Sequence, residues 1–143
     1  MSAKSPLDRP LPSGKGDSAR YWAALRAGRI ELPRCQACES LVFYPRPHCP
    51  VCHGHDLEWV TLSGRGRVYT CTVVHRATHP WFMDKTPYVY ALVELEEGVR
   101  LPSQIVGVPP AEVTIGLEVE AVFEKVDDEH TLLLFRPAGL LEA

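Results

Sequence analysis

No stretch of this 143-residue chain is apolar for long enough to cross a bilayer as a helix, so a helical membrane protein is excluded. Met1 to Lys15 is polar and proline-rich with no apolar run, so a secretion signal is not expected, and a reducing cytoplasm is the expected compartment. A basic excess is missing too. The formal net charge is −3, and the charge is uneven: residues 1–59 hold eight Lys/Arg against six Asp/Glu, while 60–143 hold seven against twelve. The C-terminal half therefore repels a polyphosphate backbone, and an anionic partner should prefer the N-terminal part. Also missing is a recognisable catalytic set. His75 and His79 flank a loop, but no carboxylate or nucleophile stands at a spacing that marks a pair. Cys71 lies in a strand pattern with no activating base and reads as an inert, half-buried thiol, and His130 sits on a charged turn. Gly14-Lys15-Gly16-Asp17-Ser18 lacks both the preceding strand and the glycine spacing of a phosphate loop.

What the chain does have is one telling spacing. Cys35-x-x-Cys38 is followed, after ten residues, by Cys49-x-x-Cys52. Each pair places two thiols on one tight turn, and two such turns supply the four ligands that a tetrahedral metal takes. Pro45, Pro47 and Pro50 stiffen the second turn. A disulfide framework is the competing explanation, and a reducing compartment disfavours it. The ion expected is structural Zn2+ on Cys35, Cys38, Cys49 and Cys52, with His48, His53 and His55 beside the site but not needed as ligands. Four thiolates fill zinc's coordination and leave no position for an activated water. The segment is too short to fold on an apolar core of its own, so the metal takes the place of that core.

Around this ribbon the sequence reads as mainly β. Residues 1–33 form a flexible arm, with Pro6, Pro10 and Pro12, and then an N-terminal helix. Asp17 or Ser18 is expected to cap that helix, which runs through Tyr21, Trp22, Leu25 and Arg26 to a stop at Gly28. Residues 34–59 form the rubredoxin-like zinc ribbon, and 60–143 a five-stranded OB-fold Greek-key barrel. The strand signals are Arg67 to His75, with Val68, Thr70, Thr72 and Val74 on one face, then the hairpin Tyr88 to Leu95 and Val99 to Val106. Leu117 to Lys125 and Thr131 to Arg136 form the last pair. A sandwich with an exposed edge competes with the barrel, but about 80 residues bury apolar surface better when the sheet closes.

Several residues carry two readings. Tyr21, Trp22 and Leu25 share a helix face that either packs on the protein's own core or docks a partner. Arg34 and Arg46 either offset the zinc-thiolate charge or meet a phosphate. Trp81, Phe82 and Met83 form a lid over the barrel or an exposed patch.

Taken together, Tyr21-Trp22, the four cysteines, the run Pro45 to Cys52, Trp59 with Ser63 to Tyr69, and the C-terminal Gly116 to Glu120 and Phe135-Arg136-Pro137 make a pattern. It resembles the zinc-ribbon OB-fold acyl-CoA-associated family, long known only as a domain of unknown function. The resemblance implies a small non-catalytic protein that accompanies thiolase-like enzymes, aldolases or hydratases acting on CoA thioesters, including in lipid and sterol breakdown. Such a subunit is expected to help bind or channel the acyl-CoA, and the charge split and the aromatic helix make Tyr21, Trp22, Arg34 and Arg46 the residues expected to touch CoA or the partner. One rival is a nucleic-acid-binding module, in which Tyr69, Tyr88, Tyr90 and Phe123 stack bases, but the acidic barrel half lacks the electrostatic footprint. A stand-alone acyl-CoA hydrolase is the other, and it lacks a nucleophile and base.

Overall fold

A computed structural model describes residues 8–139; residues 1–7 of the expected arm, and 140–143, lie outside the described residues. A 3-10 turn at Gly16–Ser18 leads into helix α1, Ala19–Arg26. No side chain caps this helix: the Ser18 hydroxyl turns back to the Lys15 carbonyl at 3.3 Å. The helix does stop at Gly28, whose φ of +80° is the left-handed value that glycine adopts without a Cβ penalty. Tyr21, Ala24 and Leu25 are buried, so most of the helix face is spent on the protein's own core, where it packs on the ribbon and the barrel together.

Strands β1, Ile30–Cys35, and β2, Leu57–Leu62, pair antiparallel as a separate two-stranded sheet, with Ile30 opposite Leu62 and Cys35 opposite Leu57. Val60 to Leu62 therefore belongs to the metal-bearing ribbon and not to the barrel. The β1–β2 sheet is welded to the rest by Ile30, Leu32 and Leu62, which enter the main core.

Five strands close the barrel in the order β3-β4-β5-β7-β6, as expected for an OB-type fold. They are β3 Arg65–Val74, β4 Tyr88–Leu95, β5 Arg100–Ile105, β6 Glu118–Lys125 and β7 Thr131–Pro137. The face assignment expected for β3 holds only at its start. A bulge falls between Val68 and Thr70: Val68 pairs with Val93 and Thr70 with Leu92, so Tyr69 is an extra residue. An extra residue inverts the alternation, and Cys71 and Val73 join Val68 against the core while Thr70 and Thr72 face out. Gly66 sits where β3 crosses β4 so closely that an added Cβ would collide with the Glu94 carbonyl and lie 2.9 Å from the Leu95 Cα. The loop after β3 holds a single helical turn, α2 Pro80–Met83, capped by His79, whose Nδ1 accepts from the Trp81 amide at 3.1 Å.

The barrel's weak seam lies between β5 and β7. They run parallel with one register pair, Ile105 and Phe135, and further along the Ser103 hydroxyl spans the gap to the Leu133 carbonyl at 2.7 Å. No helix among the described residues is long and apolar enough to cross a membrane.

Candidate metal centre and aromatic groove

The two cysteine turns are built alike. In the first, the Cys35 amide donates to the Ser40 carbonyl at 2.9 Å and the Glu39 amide to the Cys35 carbonyl at 2.8 Å. In the second, Cys49 donates to Gly54 and His53 to Cys49, both at 2.8 Å. Each turn closes through a residue in the left-handed region, Glu39 at φ 66° and His53 at φ 67°. That conformation is costly for a residue with a Cβ, so it persists where the surroundings impose it. The result aims four sulfurs at one point.

All four Sγ atoms lie within 4.8 Å of one another, with Cys35 to Cys52 at 3.5 Å and Cys38 to Cys49 at 3.6 Å. A tetrahedral ion with metal–sulfur bonds of about 2.3 Å sets its sulfurs about 3.8 Å apart, so the donor set fits zinc. Cys35 and Cys49 are buried and Cys38 and Cys52 reach the surface. Without a metal the neighbouring thiols influence one another in opposite directions. The Ser40 hydroxyl draws Cys38 down to about 6. At Cys52 the Gly54 amide pulls the other way, but the neighbouring Cys35 and Cys38 thiols outweigh it and push it up to about 12. Four thiolates this close are stable as a set only around a positive ion. Zinc held so supplies cross-linking, and its coordination is complete.

The ribbon, helix α1 and the barrel seam line a groove of about 400 Å³. Tyr21, Trp22, Phe43 and Tyr44 wall it, and Pro102 with Leu132 to Leu134 floors it. The aromatic rings meet edge to face, Tyr21 with Trp22 at 5.0 Å and with Phe43 at 5.8 Å between centroids. The Trp22 indole N–H donates to the Tyr44 hydroxyl at 2.7 Å. Tyr21 is only 4% exposed, and burial together with the neighbouring Tyr44 holds its hydroxyl well above the usual phenol range. Tyr21 is thus a fixed wall, whereas Tyr44, 40% exposed, is the part of the cluster that an incoming molecule meets.

Of the residues picked out in the sequence, Tyr21 and Trp22 come together here. Arg34 stands on β1 next to Cys35, half-buried, with its Nε buried and without a hydrogen-bond partner. Arg46 is exposed two residues past Tyr44 and donates from Nε to the Tyr44 carbonyl at 3.3 Å. Phe43 and Tyr44 were not singled out in the sequence: they lie between the cysteine pairs, where the metal motif draws attention and periodicity gives no signal. Trp81 and Phe82 are half-buried, and Trp81 carries Arg9 on its ring at 4.5 Å and Lys85 at 3.8 Å, while Met83 is exposed. Tyr69 and Tyr90 are exposed on the outside of β3 and β4, but Tyr69 is already covered by Arg100 at 3.8 Å.

Comparison with known proteins follows the same division. The family model for the ChsH2 rubredoxin-like zinc ribbon domain matches residues 22–58, and that for the ChsH2 C-terminal OB-fold domain matches 59–124. A DUF35 domain-containing scaffold protein of Methanothermobacter thermautotrophicus is 44% identical over 115 residues, covering 79% of this chain and 86% of that protein. A probable enoyl-CoA hydratase alpha subunit of Thermomonospora curvata is 42% identical over 130 residues, or 91% of this chain; the chain spans only 40% of that relative's length. Among solved structures, a chain of the Ltp2-ChsH2(DUF35) aldolase superposes with a TM-score of 0.78 at 41% identity, covering 89% of this chain and 98% of that one.

Proposed function

Since the chain belongs to the DUF35 family of ChsH2-type zinc-ribbon and OB-fold proteins, we propose that it is a non-catalytic accessory subunit of an enzyme acting on CoA thioesters. The partner is a thiolase-like enzyme, an aldolase or thiolase, or else a hydratase. The observation that carries this reading is the likeness, over nearly the full length of that chain, to a chain of the Ltp2-ChsH2(DUF35) aldolase. Two features of the molecule support it. The metal's four ligand positions are taken by sulfur, which leaves no site for an activated water. The aromatic groove offers a preformed apolar surface, and the exposed Arg46 is tied to the backbone of Tyr44 in its wall.

In this reading the subunit also helps to hold the CoA thioester. Arg34 and Arg46 meet the phosphates on the more basic N-terminal part, and Trp22 supplies apolar contact, with Tyr21 behind it. The test has two arms. The purified chain alone should turn over no acyl-CoA, and the complex isolated from its own cells should contain a thiolase-like or hydratase enzyme. In that reconstituted complex, Arg46→Ala and Trp22→Ala should each weaken CoA-ester binding several-fold. Turnover by the isolated chain would refute the accessory role, and unchanged ester binding in both variants would refute the CoA placement.

A further inference from the structure

The turn between β6 and β7 is held by two other parts of the chain. Arg26 of α1 donates to the Glu129 carbonyl at 3.1 Å, and His130 Nε2 lies 3.0 Å from the carbonyl of Pro12, in the arm that precedes α1. The other ring nitrogen, Nδ1, faces the Asp127 carboxylate, 2.9 Å from Oδ1 and 3.1 Å from Oδ2. The His130 side chain is only 14% exposed, so water does not readily replace either contact. Upstream, Arg9 carries the same arm on to α2. Its guanidinium pairs with Glu124 of β6 at 3.1 Å and lies 4.5 Å over the Trp81 ring. The arm from Arg9 to Pro12 thus straps the β6–β7 end of the barrel to α2, alongside a cleft of about 220 Å³ lined by Trp81, Tyr88, Gln104 and Glu124.

Both partners of the imidazole are acceptors. A carbonyl oxygen has no proton to give, and neither has an ionised carboxylate. The Asp127 carboxyl is held below the usual carboxylate range by its bond with His130 first, then by the Glu129 amide. Its Oδ1 accepts from the Glu129 and His130 amides, both at 2.8 Å. A neutral imidazole donates from one nitrogen only, so either tautomer sets a lone pair against an oxygen. Only the doubly protonated ring fills both contacts. The other charges around it do not replace that proton. Asp128 pairs with Lys125 at 3.7 Å, the Glu129 side chain is exposed, and Arg26 is engaged with the Glu129 carbonyl. In the arm, Asp8 and Arg9 precede Pro12, and Arg9 is committed to Glu124.

We propose that His130 is a proton-operated latch for the N-terminal arm: its imidazolium holds Pro12, and loss of one proton releases the arm between Arg9 and α1 as the pH rises. His79, at the other end of the strap, works in the opposite sense, since its Nδ1 accepts from the Trp81 amide and must be unprotonated to do so. The two histidines are therefore told apart by sign. The latch is a property of this chain alone and does not depend on the accessory-subunit reading.

The test is backbone nitrogen relaxation with histidine-ring NMR on the zinc-loaded full chain, at about pH 5.5 and about pH 8.5, either side of the range in which histidine changes charge. The order parameters of Leu11 and Ser13, which flank Pro12, should fall from about 0.8 to below about 0.6 as the pH is raised. The fall should track the His130 ring, while Val68 and Val93 in the barrel stay constant. Asp127→Asn separates a latch from a merely structural contact. An amide nitrogen in the place of Oδ2 donates to Nδ1, so a neutral ring can give its Nε2–H to Pro12, and the arm should stay ordered at both pH values. Should that variant lose the turn, seen in the Glu129 and His130 amide shifts, His130→Gln decides instead: with no ring to titrate, it should give the same order parameters at both pH values. His79→Gln should leave the fall in place. Unchanged order parameters in the native chain overturn the proposal, as does a fall that survives in His130→Gln or in a well-folded Asp127→Asn, or one that disappears in His79→Gln.

Discussion

Stripping the zinc should open one segment of the molecule and leave the rest standing. Between the paired ends of β1 and β2, residues 36–56 make no strand ladder beyond the single bridge of Arg34 with Leu41. Few of their side chains are buried apart from Val42, Pro45 and Cys49. Burying an aliphatic side chain contributes about 2 kcal/mol, whereas a structural zinc site contributes about 10 kcal/mol or more. The ion therefore dominates the local balance. Losing even half of its contribution would raise the population of the open segment more than about 10³-fold. The strands that flank it are held independently, because Ile30, Leu32 and Leu62 belong to the barrel core. The measurement is amide hydrogen exchange on the full chain, zinc-loaded and after chelation under a reductant. Amides of Cys35, Glu39, Cys49 and His53, each bonded within a cysteine turn, should lose protection. Those of Val68 and Val93 in the barrel should keep it. Cys49→Ser should reproduce the pattern without chelator. If the turn amides stay protected without metal, or if turn and barrel amides fail together, the division into a metal-held segment and a self-supporting barrel is wrong.

Two further outcomes are expected. Gly66→Ala should destabilise the barrel by about 3 kcal/mol or more, because the obstruction is the Glu94–Leu95 backbone and not a flexible side chain, and a shift of the urea midpoint measures this. Glu31, on β1, is buried, and Arg29 first, then Arg20 of α1, hold its carboxyl below the usual carboxylate range. A depressed folded value means that the pairing stabilises the fold at pH values above the ordinary carboxylate range and is lost as pH falls through the depressed value. Glu31→Gln should cost about 1 kcal/mol at neutral pH and flatten that acid limb, since both arginines are solvent-accessible. An unchanged acid limb in urea titrations would contradict the assignment.

The parts of this fold legible in the sequence were those fixed by local chemistry. Thiol spacing marks the metal centre because each turn needs its two cysteines three residues apart. The β4–β5 hairpin shows because its alternation is clean and its turn ends on Gly98, at φ 97°. What stayed hidden depends on tertiary placement. The face of β3 was misread beyond Val68 because a one-residue bulge leaves the composition unchanged while reversing every later side chain. The boundary drawn at residue 60 divides β2, Leu57–Leu62, because nothing local says that Val60 to Leu62 pairs back to Ile30–Leu32. Ser18 has the chemistry of a helix cap, but the preceding 3-10 turn directs its hydroxyl to Lys15.

The same separation explains how a saturated metal can matter to a surface some distance from it. Phe43 and Tyr44 are carried on the segment between the cysteine pairs and pack on Tyr21 of α1, with Phe43 also against the main core, so zinc ties down the segment whose rings the helix and core receive. Trp22 is set by α1, and Leu132 to Leu134 by the pairing of β7 with β6. The groove thus exists only when metal site, helix and barrel are assembled together. A surface composed this way is rigid once formed, which lowers the ordering cost of binding a partner. It is also lost as a unit when the ion leaves. On the accessory-subunit reading proposed above, chelation of an assembled complex should therefore release the partner before the barrel loses any of its strands, and release that waits for barrel unfolding would refute this.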